Sequence, residues 1–92
     1  MTDAGAQSVF QAAQRAAGVI AAKHRGDLTG AQALLEAFPD EACRTRGFQL
    51  LAELALTILR AQTGETMEEL VQELSLHIAS TAAAGPPGDT PS

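Results

Sequence analysis

Two histidines, one cysteine and a few basic side chains are the residues of this 92-residue chain that could do chemistry. Glu73 and His77 stand four apart, which puts two side chains on one face of a helix. Such a pair could hold a metal ion, but structural metal sites use four ligands, and no Cys or further carboxylate joins them at ligand spacing. The pair therefore reads as a surface contact near a helix C-terminus. His24, with Lys23 and Arg25 beside it, reads as a cation in the last turn of a helix, where the macrodipole favours positive charge. Cys43 falls in the expected first turn of a helix, behind Glu41 and ahead of Arg44 and Arg46. That setting is electropositive, the kind in which thiols become reactive. No base accompanies it, so a half-buried, inert thiol is the expectation. The carboxylates fall on exposed faces and make no buried acid–base pair. The sequence therefore predicts no catalytic residue, no metal and no cofactor, and no enzyme.

Lys23, Arg25, Arg44 and Arg46 flank a short helix and would form a small basic patch. On an acidic protein, such a patch suits an acidic partner surface or the acidic face of a second copy.

These residues need helices to position them, and helices are what the chain encodes. Ala and Leu dominate, Phe occurs at 10, 38 and 48 only, and Trp and Tyr are absent. A first helix is expected over Ala6–Arg25, with Val9, Phe10, Ala13, Ala16, Ala17 and Ile20 on its apolar face and Gly26 as its stop. A second runs from Gly30 to Phe38, capped by Asp27 or Thr29 and ended by Pro39. A third follows the cap residue Asp40 and runs to Gln62, with Gly47 as a close-packing point inside it. After a Thr63-Gly64-Glu65 turn, Thr66 and Glu69 form a capping box for a fourth helix over Met67–Ser80. Its buried stripe is Met67, Leu70, Val71, Leu74 and Ile78. The expected layout is thus a flexible N-terminus over 1–5, a four-helix domain over 6–81, and a disordered Pro/Gly-rich tail over 82–92.

Composition excludes several functions. The formal charge is −5 and the pI is near 4.7. An acidic chain repels nucleic-acid phosphates and anionic membranes, so neither is an expected partner. No apolar run is long enough to span a bilayer. A lone cysteine and the lack of a secretion signal point to the reducing cytoplasm. The Ala, Gly and Arg usage suits a high-GC bacterial genome.

The sequence carries two partial resemblances. Ala21-Ala22-Lys23-His24-Arg25-Gly26-Asp27-Leu28, followed by Leu34-Leu35-Glu36, resembles the inner junction of an ankyrin repeat. The Ala22-to-Gly26 spacing is one residue too long, no Thr-Pro-Leu-His element precedes it, and no second repeat follows. A repeat core needs about three copies, so what remains is a helical hairpin without the family. The segment Leu59–Leu70 resembles the turn of a DNA-binding helix-turn-helix. The helix that would enter the groove carries Glu68, Glu69 and Glu73 and no Lys or Arg, which opposes binding to DNA.

The stretch Phe48–Leu59 sets the overall expectation. Its polar residues Gln49, Glu53 and Thr57 form one narrow stripe, so the helix must be covered almost all round, by its own chain or by another. Leu50, Leu56 and Leu59 drift to a side opposite Leu51, Leu54 and Ile58, and Leu76 lies among Glu69, Gln72 and Glu73 on the outer face of the fourth helix. Ala12, Ala22 and Gly18 lie off the main stripe of the first helix and would permit close helix contact. The predicted fold is all-α: two helical hairpins forming a compact four-helix domain around that central apolar helix. The predicted role is a small regulatory or adaptor protein that acts as a homodimer, with Leu50, Leu56, Leu59, Leu76, Ala12 and Gly18 at the interface. A transcription-related helix-turn-helix protein and a binder of an apolar small molecule between helices are the alternatives.

Overall fold

The computed structural model describes the backbone of residues 2–84 and the side chains of residues 8–84. Four helices follow in order: α1 (Thr2–His24), α2 (Leu28–Glu36), α3 (Glu41–Thr63) and α4 (Met67–Ala84). No strand occurs among the described residues, so the fold is all-α.

The boundaries have local causes. α1 ends where Gly26 turns left-handed, at φ 82°, a conformation that glycine adopts without a Cβ penalty. Asp27 caps α2: its carboxylate accepts the Gly30 N–H at 2.8 Å. Asp40 caps α3 in the same way, accepting the Cys43 N–H at 2.7 Å. The capping box of α4 is reciprocal. Glu69 accepts the Thr66 N–H at 2.8 Å, and the Thr66 hydroxyl accepts the Glu69 N–H at 3.1 Å.

Four ends differ from expectation. α2 begins at Leu28, because Asp27 rather than Thr29 is the cap, and it stops at Glu36, leaving Phe38 beyond the helix. α1 already begins at Thr2, within the stretch expected to be flexible. α4 continues to Ala84 through Thr81 and three alanines, so helix covers the first residues of the expected tail. The Thr81 hydroxyl donates to the His77 carbonyl there at 2.9 Å. The rest of the expected tail, residues 85–92, lies outside the described residues, as does Met1.

Contacts divide the chain into two units, Met1–Ala55 and Leu56–Ser92, with the boundary inside α3. In the first, α1 and α2 form an antiparallel hairpin. Val19 and Ala22 pack on Ala31 near the turn. Further along, a Cβ placed on Gly18 would lie 3.2 Å from Leu34. At the open end, Arg15 donates to the Ala37 carbonyl at 3.2 Å and lays its guanidinium 5.4 Å from the centre of the Phe38 ring. Ala12 and Ala16 pack with Phe38, and Leu35, Cys43, Phe48 and Leu51 close around them. The Phe38 and Phe48 rings lie 6.1 Å apart in a tilted arrangement that favours the pair.

Gly47 fixes the approach of α3 to α1. A Cβ there would lie 2.6 Å from the Ala12 carbonyl oxygen. That is backbone against backbone, so no side chain can swing aside to relieve the contact. The glycine weakens α3 by about 1 kcal/mol relative to Ala, in exchange for this approach.

The second unit contains the end of α3 and all of α4. Among its described residues only Leu70 is buried, with Leu56, Glu65 and Met67 half-buried.

The core therefore sits on α1 and not on α3. Ala12, Ala13, Ala16, Val19 and Ala22 are all buried on α1, whereas on α3 only Gly47 is. Of the two coverings expected for α3, the chain's own helices supply only part. Leu54, Ile58 and Leu59 remain exposed.

Candidate functional site

No candidate for chemistry gathers partners. Among the described residues, no group of three or more His, Cys, Asp or Glu side chains could hold a metal ion. Cys43 is a free, half-buried thiol on the edge of the Ala12–Ala16–Phe38 cluster. His24 is exposed in the last turn of α1. Glu73 engages the Glu65 carboxyl. That hydrogen bond is the main reason the Glu65 pKa lies above the ordinary 4.5, with burial and the negative charges of Glu73 and Glu69 adding to it. Glu69 is shifted the other way, held low first by the Thr66 N–H and then by the Thr66 hydroxyl. Three carboxylates thus share one side of the start of α4.

The basic residues fall in two places. Arg44 and Arg46 lie within one turn of Gly47, where α1 and α3 cross beside Ala12. Lys23 is eleven residues further along α1 than Ala12, about 16 Å at helical rise. The described contacts do not join the pairs into a single patch. Each end has local partners instead: Arg25 meets Asp27 at 3.6 Å, and Arg44 meets Glu41 at 3.3 Å.

The expected interface residues also separate. Ala12 is buried under Gly47 and Gly18 is half-buried against Leu34, so their small size serves packing within the chain. Ala22 is buried too, on Ala31. Leu50 is half-buried beside Val9, Arg46 and Glu53, and Leu56 is half-buried. Leu59 and Leu76 are exposed.

What the structure does assemble is two exposed apolar faces. The first lies in the Met1–Ala55 unit. Phe10 and Ile20 are 55% and 53% exposed, with Ala17 exposed between them. Phe10, Ala13, Gln14, Ala17, Leu51 and Leu54 line an open groove of about 430 Å³ there. The second face belongs to α4, where Val71, Leu74 and Ile78 are 45%, 46% and 59% exposed. The sequence placed Phe10, Ala17 and Ile20 in the buried stripe of the first helix. Ala12, Val19 and Ala22 occupy the buried side instead, because the tight approach to Gly47 and α2 selects the smaller side chains. The signal that was available is the spacing of Phe10, Ala13, Ala17 and Ile20, at three, four and three residues, which is a heptad seam.

Along the described residues, no helix is long and apolar enough to cross a membrane. No family model matches the chain, and neither a curated protein nor a solved structure matches it.

Proposed function

We propose that this chain is a small acidic protein–protein interaction module that acts as a homodimer in the cytoplasm, in a regulatory or adaptor role and not as an enzyme. The observation that carries the reading is the α4 face. Val71, Leu74 and Ile78 stand at helical spacing on one side and leave large apolar side chains in water. Contiguous exposed apolar surface of this kind marks an interaction site. A chain of this length also buries a limited fraction of its surface, so a second chain adds stability that a single one lacks. The acidic first turn of α4, Glu68 and Glu69, opposes a DNA-reading role for the same helix.

Light scattering at micromolar concentration tests this. The expected mass is twice the 9.5 kDa of one chain. A strict monomer overturns the reading. Tight, strongly salt-dependent binding of duplex DNA by the assembled protein would replace it with the helix-turn-helix alternative.

A further inference from the structure

Resting on the dimer reading above, we propose that the exposed face of α1 in one copy pairs antiparallel with the exposed face of α4 in the other. Size, spacing and charge support this pairing. The exposed α1 face is large at its ends, Phe10 and Ile20, and small between them, where Ala17 is exposed and the buried Ala13 lines the groove beside it. The α4 face is large in its middle, at Leu74. Phe10 and Ile20 stand about 15 Å apart along their helix, and Val71 and Ile78 about 10 Å apart along theirs. Leu74 and Ile78 therefore fit over the alanines, between the two larger residues. Both faces repeat at three and four residues: Phe10, Ala13, Ala17, Ile20 on one and Met67, Val71, Leu74, Ile78 on the other. That period keeps two helices in contact along their length.

Charge favours this pairing over a parallel homotypic one. From Ser8 to Arg25 the chain carries Arg15, Lys23 and Arg25 and no carboxylate. α4 carries Glu68, Glu69 and Glu73 and no Lys or Arg. Pairing α4 with α4 in parallel would set these glutamates against one another. Pairing α4 antiparallel with α1 brings Glu68 and Glu69, in its first turn, to Lys23 and His24 in the last turn of α1 and to Arg25 just beyond it. The helix dipoles then also oppose one another favourably. Two-fold symmetry makes the contact twice, with the same two surfaces used in each copy. One helix pair is small against the roughly 1,200 Å² of a stable interface, and the doubling closes that gap.

The test uses the full chain and sedimentation equilibrium, with far-ultraviolet circular dichroism confirming that each variant is folded. Ala17→Glu places a charge in the middle of the α1 face, and Leu74→Asp does so on the α4 face. Each should weaken the dimer about tenfold or more, since a buried unpaired charge opposes association strongly. An equimolar mixture of the two variants should regain part of the dimer, because one of its two contacts pairs an intact α1 with an intact α4. The double change Lys23→Glu and Arg25→Glu should weaken the dimer, and Glu68→Lys with Glu69→Lys in the same chain should restore it. A wild-type monomer overturns the dimer reading itself. A wild-type dimer that Ala17→Glu leaves intact while Leu74→Asp breaks it keeps that reading and overturns the α1–α4 pairing in favour of α4 against α4. A dimer untouched by either change overturns the pairing outright.

Discussion

The α1–α2 hairpin and the α4 segment are both helical and alanine-bearing, yet they dispose of their apolar side chains in opposite ways. In the hairpin unit most of the buried residues are small, Ala12, Ala13, Ala16, Ala22 and Ala31, with Val19 and Phe38 beside them. Close backbone approach lets them fill the interior, and the Gly47–Ala12 crossing extends the same device to α3. In α4, Leu70 is buried, while Val71, Leu74, Leu76 and Ile78 are not. Small side chains permit tight contact but cover little area each, so burial through alanines removes less apolar surface per residue than burial of Val71, Leu74 or Ile78 would. Those large residues are the ones on which the proposed dimer rests.

The comparison breaks most readily at Phe38, the largest side chain buried in the hairpin unit. Phe38→Ala should cost about 3–5 kcal/mol, as for other buried phenylalanines, read as a fall in the denaturation midpoint. Leu70→Ala should cost about 2–5 kcal/mol, because Leu70 is the one described residue of its unit that is buried. Leu74→Ala, one turn further on, is expected to leave the stability of the dilute single chain almost unchanged and to show its cost only as concentration rises. Equal costs for Leu70 and Leu74 in dilute protein would erase the distinction between buried and exposed sides of α4.

Gly47→Ala sharpens the contrast. Helix propensity alone predicts a gain of about 1 kcal/mol. The Ala12 carbonyl in the way predicts a net loss of about 1–3 kcal/mol instead. A stabilised variant would show that α1 and α3 have room to separate. A smaller effect is expected from Thr66→Ala, which removes the hydroxyl half of the α4 capping box, at about 1 kcal/mol.

The smallest effect is on titration. Glu65 titrates above the ordinary range, so its contribution to stability is present below that range and is lost as the pH rises through its raised pKa. Glu69 behaves in the opposite sense: its contribution is present above the ordinary range and is lost as the pH falls through its lowered pKa. Carboxyl resonances followed by NMR should separate in that order. Glu73→Gln should bring Glu65 back toward 4.5, since Glu73 supplies the largest cause of the shift. A Glu65 unmoved by that change would rule out the carboxyl pair.

Much of the fold was legible because local chemistry determined it. The caps at Asp27, Asp40 and Thr66, the stop at Gly26 and the close approach at Gly47 each follow from one residue type acting over a few neighbours. What could not be read was the choice between two faces of one helix. Hydrophobic periodicity weights Phe10 and Ile20 above Ala12 and Ala22, while packing against a glycine weights them in reverse. The same choice of face decides that Ala12 and Gly18 pack within the chain, against Gly47 and Leu34, and that α3 keeps Leu54, Ile58 and Leu59 exposed. The Lys23–Arg25 and Arg44–Arg46 pairs were joined because they flank α2 in sequence. The crossing at Ala12 sets them apart.

Amide hydrogen exchange measured at two protein concentrations, one well below and one well above the dimer dissociation constant, tests the central claim most directly. If a second copy covers what the first leaves exposed, protection of the α4 amides from Val71 to Ile78 should rise with concentration. The amides of Leu34 and Leu35 in α2, packed against α1 within their own chain, should change little with concentration. Protection along α4 that is the same at both concentrations would contradict the account.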